Sequence, residues 1–384
     1  MKNVSANINC YGCGVCVIAC PTKAIKMQYN VDGFASPHVD NNVCINCGLC
    51  VASCSFSNEG LISDALELHS YAGWSRDSEV RMLSSSGGVV HEILLHLLMS
   101  GYKVCSVRYN ATKHIAEHCI VDSIEGLKDL RGSKYIQSQT VEGLSLIDYS
   151  SKYVVVGTPC MVDSLKRLVL KKKVLNNFVF VDFFCHGVPS YFLWDKYVRI
   201  MEKKCGVISE VSFRYKMDGW QDSLKLHIKG EHMEYKGGIK QKEIFYRLFL
   251  GDYCLGKACY QNCKFKMECS SADIRVGDLW GKSYAHNLEG VSAVVALNKK
   301  GDDILHRLEG MHLQEESFDV ISEGQMKMSP PEPWIRKLII STLVTNKDNF
   351  KKELFLINCS ELLKKVKKII TEPHIVVKNR LNSR

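Results

Sequence analysis

Residues 153–189 read YVVVGTPCMVDSLKRLVLKKKVLNNFVFVDFFCHGVP. Tyr153–Val156 is a short apolar run, closed by a tight loop over Gly157–Cys160. A helical pattern follows to about Lys171. A second apolar run spans Phe178–Phe184, then a loop over Cys185–Pro189 and a further helix from Ser190. Strand, loop, helix repeated twice is the pattern of a parallel sheet with crossover helices. Consecutive parallel strands often lie side by side. Cys160 and Cys185 then fall just beyond the carboxyl ends of two neighbouring strands, the rim where open α/β sheets bind ligands. Two thiols in one crevice is one reading, and two unrelated half-buried thiols is the other.

Working outward, Ser84–Gly88 form a small polar loop before an apolar-periodic helix, about Val89 to Ser100, closed by Gly101. A strand follows from Lys103 to Tyr109. A Ser/Gly loop opening a helix offers unpaired N–H groups and the positive end of the dipole to a phosphate; a plain serine N-cap is the other reading. Downstream, Cys254, Cys259, Cys263 and Cys269 crowd into sixteen residues, a density that points to metal. Their spacing is not that of a regular zinc ribbon, although a structural zinc knuckle stays open. IRVGDLWG (274–281) reads as a strand ending at a Gly-Asp turn.

The N-terminus holds two runs, CYGCGVCVIACP (10–21) and CINCGLCVASCS (44–55), each C-x2-C-x2-C-x3-C. This spacing wraps three thiolates around one [4Fe–4S] cube and turns the fourth toward another. One cluster is therefore expected on Cys10, Cys13, Cys16 and Cys54, the other on Cys44, Cys47, Cys50 and Cys20. Gly12, Gly14 and Gly48 let the backbone turn tightly around the sulfurs. Pro21 follows Cys20 as in bacterial ferredoxins, whereas Ser55 stands where the second run would repeat the proline. Paired zinc sites rarely use cysteines so evenly spaced. With short strands around a turn at Asp32-Gly33, residues 1–60 resemble an α+β, ferredoxin-like two-cluster module.

The 384 residues are 46% hydrophobic and 24% charged, as in ordinary globular chains. The longest apolar stretch, HEILLHLLMSG, is too short for a membrane span. The N-terminus lacks a signal-peptide pattern, so a cytoplasmic protein is expected. In that setting 18 cysteines argue for metal or redox work rather than disulfides. The formal charge of +9 suggests nucleic acid, but each cluster carries about −2, so three would leave roughly +3. No nucleic-acid partner is expected, and a zinc-bearing nucleic-acid binder is rejected.

The segments SSSGG (84–88), GSKYIQS (132–138), GTPC (157–160), CHGVPS (185–190), SFRYKMDGW (212–220) and ADIRVGDLWG (272–281) together resemble the family of coenzyme F420 hydrogenase/dehydrogenase beta subunits. With the ferredoxin runs the resemblance covers roughly residues 8–300. It implies an α/β flavin-binding domain with a parallel-rich sheet, carrying FAD and a third [4Fe–4S] cluster. The expected organisation is a two-cluster domain (1–60), a linker (61–80), the FAD and cluster domain (81–300) and a C-terminal extension (301–384). Ser86, Gly87, Gly88, Ser133, Lys134, Tyr135, Thr158 and Pro159 would line the flavin. The third cluster would draw on Cys185, Cys259 and Cys263, with Cys160 or Cys269 as fourth ligand.

Lys134 is the expected cation near the flavin and His186 a candidate proton donor. Arg214 and Lys216 alternate on a likely strand face, suited to an anionic partner or simply solvated. The expected function is an iron–sulfur flavoprotein oxidoreductase. It would exchange electrons with ferredoxin or another redox protein, and hydride with coenzyme F420 or a small organic substrate. The alternative is a non-catalytic electron-transfer subunit. A basic helix in the tail, with Leu362, Leu363, Val366, Ile369 and Ile370 on one face, packs on its own domain or touches a membrane surface or partner.

Overall fold

The computed structural model describes residues 2–61, 68–261, 263–345 and 348–371, the last five of these as backbone only. Strands β1 (Ile25–Tyr29) and β2 (Ala35–Val39) form an antiparallel hairpin in the N-terminal module. Its small core joins Val4, Ile25, Val39 and Cys50.

The main sheet contains β3 (His69–Ser75), β4 (Lys103–Asn110), β5 (Ile115–Val121), β6 (Tyr153–Val156) and β7 (Phe178–Phe183). A separate antiparallel sheet is built from β8 (Ile208–Ser212), β9 (Lys225–Gly230) and β10 (Glu234–Gly238). Strands β11 (Ile274–Asp278), β12 (Ser292–Ala296) and β13 (Met311–Glu315) return to the main sheet. Its order is β13-β3-β12-β11-β7-β6-β4-β5. The four middle strands β11, β7, β6 and β4 run parallel, while the flanking strands pair antiparallel.

The fold is therefore α/β with a mixed sheet whose centre is parallel. Strand alternation supplies two apolar faces. Val154, Val156, Val179 and Val181 face the helix Val89–Met99, whose Ile93, Leu94 and Leu97 are buried on them. Tyr153, Val155, Phe178 and Phe180 face the helix Pro159–Lys171 through Val162, Leu165 and Val169. Val15 and Ala19 of the N-terminal module join this second core, so the module is packed onto the sheet layer.

The expected linker and extension both contribute to the sheet. β3, inside 61–80, lies between β12 and β13, and β13 lies inside 301–384. Each is a single short strand separated in sequence from its partners, so no local repeat announces it. Beyond β13, the helix Arg336–Leu343 packs against Tyr191–Cys205 and Lys351–Thr371. In that last helix Leu362, Leu363 and Val366 are exposed. The side chains of Ile369 and Ile370 and all residues past 371 lie outside the described residues. Among the described residues no helix is long and apolar enough to cross a membrane.

A buried ion pair ties β7 to β11. Asp182 accepts from Arg275 Nε and Nη2, both at 2.8 Å, and from Ser270 Oγ at 2.6 Å. All three side chains are buried. Removing the charge of one partner strands the other in the core. Asp182→Asn is expected to lower stability by about 3–5 kcal/mol, seen as a fall in the urea midpoint.

Candidate functional site

The carboxyl ends of β6, β7 and β11 open onto one cavity of about 500 Å³, within the usual range for cofactor pockets. The parallel register Tyr153↔Phe178 to Val156↔Val181 sets Gly157–Cys160 beside Phe184–Val188. Cys160 and Cys185 therefore line the same crevice, and Cys259 and Cys263 join them.

The electrostatic neighbours of Cys160 include Cys13, Cys185 and Cys263, and those of Cys259 include Cys185 and Cys263. Burial pushes the Cys185 thiol up to about 11 and that of Cys259 to about 12. As bare groups they stay protonated; a multiply charged iron core turns such thiols into thiolates. Each is half-buried and lines the cavity. Among the described residues no three His, Cys, Asp or Glu side chains close on one point as a single metal ion needs. The four thiols all line the one cavity.

Cys269 and Cys254 do not line the cavity. Met267, in the left-handed region at φ 53°, turns the chain before Cys269, whose charged neighbours are Glu268 and Arg275. Cys254 is buried with its Sγ 3.7 Å from the Leu248 carbonyl. Four clustered cysteines in sequence thus supply two to the crevice, and the loops after β6 and β7 supply the others.

Polar loops also line the cavity. Ser84, Ser85, Ser86 and Gly88 line it at the start of the helix Val89–Met99, and Thr158 and Pro159 at the start of Pro159–Lys171. Neither helix has a side-chain N-cap bond. The first opens with N–H groups that no side chain caps, whereas the second opens on Pro159, which has no N–H, and its Met161 and Val162 N–H groups bond the Thr158 carbonyl. Among the described residues three buried polar atoms on the lining also lack a hydrogen bond: Arg131 Nε, His186 Nε2, and His118 Nε2, which lies near the Val156 carbonyl. Burial pushes His118 down to about 4, so it is neutral at pH 7. Unsatisfied donors around a cavity fit a phosphorylated cofactor.

Ser133 donates its N–H to Ser85 Oγ at 2.7 Å, joining two of the expected loops. Tyr135 accepts from Arg214 Nη1 at 3.1 Å. Lys134 lines the cavity and donates to the Leu130 and Arg131 carbonyls at 3.0 and 2.9 Å. Burial lowers it to about 7.

Gly87 does not reach the cavity. Its N–H bonds Ser292 Oγ at 2.9 Å, and a Cβ there would lie 2.3 Å from the Gly73 carbonyl oxygen. It lets the loop lie against the sheet. His186 lines the cavity with its Nε2 2.9 Å from Asp252 Oδ1, too bent for a hydrogen bond, and its ring edge-on to Phe249.

Arg214 and Lys216 are neither solvated nor on a strand, because β8 ends at Ser212. Both are buried. Arg214 grips Asp278 through two bonds of 2.7 and 3.0 Å and donates to the Ser85 carbonyl at 3.0 Å. Lys216 donates to the carbonyls of Ser86, at 2.7 Å, and Arg81. The two side chains fasten the serine loop by its carbonyls, Arg214 as a cation and Lys216 with its pKa lowered by burial to about 7.

The N-terminal module forms another wall. The thiols of Cys10, Cys13, Cys16 and Cys54 are electrostatic neighbours, as are those of Cys50, Cys20 and Cys47. Cys44 packs on the same small core as Cys20. Tyr11, Gly12 and Cys13 line the cavity, and the Tyr11 hydroxyl has Cys263, Cys160 and Cys259 as neighbours. Sequence reasoning missed Tyr11 and Lys266. Lys266 holds the Cys185 carbonyl at 2.6 Å. Nothing in their local pattern marks either, since their roles come from contacts distant in sequence.

Comparison with known proteins agrees with this division. Residues 9–58 match the 4Fe–4S dicluster domain. Residues 70–145 and 150–319 match the N- and C-terminal models of the coenzyme F420 hydrogenase/dehydrogenase beta subunit. No curated protein matches the chain. Among solved structures, a chain of the F420-reducing [NiFe] hydrogenase complex from Methanosarcina barkeri, from a xenon-derivatised form, is 15% identical. The match covers 74% of this chain and 91% of that one at a TM-score of 0.47, too low to argue from. On the two matching models, which together span most of the chain, this protein belongs to the coenzyme F420 hydrogenase/dehydrogenase beta-subunit family, as an iron–sulfur electron-transfer subunit with a 4Fe–4S dicluster domain at its N-terminus.

Proposed function

We propose that this chain is an iron–sulfur flavoprotein oxidoreductase that passes single electrons between a redox protein such as ferredoxin and a flavin site, where hydride is exchanged with coenzyme F420 or a small organic substrate. The carrying observation is the shared cavity. Four thiols, two helix N-termini without side-chain caps and the first cysteine loop of the dicluster domain all border it. Clusters supply one-electron steps and FAD supplies the conversion between one-electron and hydride chemistry.

In this reading two clusters occupy the N-terminal module, with the eight cysteines paired as their spacing implies. Cys160, Cys185, Cys259 and Cys263 hold the third. Ser84–Ser86, Thr158, Arg131 and Lys134 orient the dinucleotide. Lys134, with its pKa lowered by burial to about 7, is only partly protonated at neutral pH and becomes fully cationic as an anionic group approaches. His186, held beside Asp252, is the residue positioned to carry a proton at the cavity wall.

Anaerobically purified protein is expected to contain about twelve iron and one FAD per chain. About eight iron and no flavin would instead make the chain a relay for a separate catalytic subunit. Cys263→Ser should lose about four iron, whereas Cys269→Ser and Cys254→Ser should lose none; equal losses from all three would refute the ligand set. Above pH 7 the free Lys134 is mostly unprotonated, and an anion raises its pKa, so FAD binding to flavin-depleted protein should take up a proton between about pH 7 and 10. Calorimetry in buffers of different ionisation enthalpy reads this uptake, and Lys134→Met should abolish it.

A further inference from the structure

The one departure from the ferredoxin pattern, Ser55 in place of proline, lies at the seam between the module and the sheet domain. Ser55 and Ser164 are both fully buried. Ser55 donates its N–H to Ser164 Oγ at 3.0 Å and its hydroxyl to the Cys160 carbonyl at 2.9 Å. Ser164 in turn donates to Ser55 Oγ at 2.9 Å, and its Oγ lies 3.5 Å from Cys13 Sγ. A continuous chain of polar contacts therefore runs from Cys13 through Ser164 and Ser55 to Cys160. A proline at 55 supplies neither the N–H nor the hydroxyl.

In the bare chain the Cys13 thiol carries its own proton and donates toward Ser164. As a cluster ligand Cys13 is a thiolate and only accepts. The Ser55 hydroxyl proton is committed to the Cys160 carbonyl. The Ser164 proton is then the mobile one, shared between Ser55 Oγ and Cys13 Sγ. A hydrogen bond to a ligand sulfur favours the more negative, reduced cluster and raises its potential.

We infer that Ser164 and Ser55 form a hydroxyl pair that sets the potential of the cluster held by Cys10, Cys13, Cys16 and Cys54. Ser164 supplies a hydrogen bond to Cys13 Sγ, and Ser55 competes for that proton while fixing the module against Cys160. The pair acts through Cys13 and is a positioning device. The proton remains on Ser164 while one electron leaves this cluster and the next acceptor gains it. The inference rests on the proposed cluster assignment for the N-terminal module.

The test is an EPR-monitored redox titration of the full anaerobic chain, with iron and sulfide measured on each variant. Ser164→Ala should keep the metal content and move the midpoint of one N-terminal cluster to a more negative value. Ser55→Ala keeps the N–H bond but removes the competing oxygen, so the same midpoint should move positive. Ser164→Thr, which retains a hydroxyl, should return it toward the wild-type value. Midpoints that stay fixed in both alanine variants, or shift in the same direction, overturn the inference. Opposite shifts in a protein found to lack the third cluster or flavin would refute the wider functional reading and leave this inference standing. Wild-type protein without N-terminal clusters overturns both.

Discussion

Four backbone pairings, Tyr153 with Phe178 through Val156 with Val181, hold the parallel strands β6 and β7 in register. Everything at the site follows from that alignment. The side-chain period of a strand is two, so a slip of one residue would turn Val154 and Val156 away from the helix Val89–Met99 and into the opposite core. It would also part the loops that bring Cys160 and Cys185 together. The register is over-determined: both faces of both strands are buried, and the Asp182–Arg275 pair fastens β7 to β11 on the other side.

On this frame the cavity is held ready by bonds among its own lining groups, Arg214, Asp278, Trp280 and Ser85, backed by Lys216 and Trp220. Arg214 clamps Asp278 and the Ser85 carbonyl, while Trp220 stacks on Trp280 and the Arg214 guanidinium lies 5.0 Å from the Trp280 ring centre. Lys216 holds Ser86 by its carbonyl. Fixing polar loops through buried donor side chains limits the motion a bound group must later suppress, which is how preorganisation lowers the cost of binding. The arrangement also explains why a basic strand-like segment needs no anionic partner of its own: its donor groups are spent on the scaffold.

The extent to which this was legible in the sequence divides along physical lines. Tyr153–Val156 and the helix to Lys171 are stated by local apolar pattern and breakers, and appear with those bounds. The convergence of Cys160 and Cys185 follows from the parallel-strand rule alone. β3 and β13 were invisible because a short antiparallel strand of five to seven residues, here one inner and one at the sheet edge, is defined by its neighbours rather than by its own sequence. Cys269 stood beside Cys160 as a choice for the fourth ligand, since spacing records distance along the chain and not the left-handed turn at Met267. Gly87 was credited to the cavity when its missing side chain is required by the Gly73 carbonyl behind it. Tyr11 showed only as a spacer between cysteines.

The seam at Gly12 has a further consequence. Its φ is 70°, and a Cβ there would lie 2.3 Å from Gln137 Nε2 and 2.5 Å from the Ala35 carbonyl oxygen. Gln137 itself donates to the Tyr11 carbonyl and accepts from the Ala35 N–H. The module is thus fitted to its host residue by residue. It is not an interchangeable cassette: a free-standing ferredoxin grafted in its place would match the cubes and still fail to mate with the domain, because a transplant carries over the ligands but leaves the joint behind.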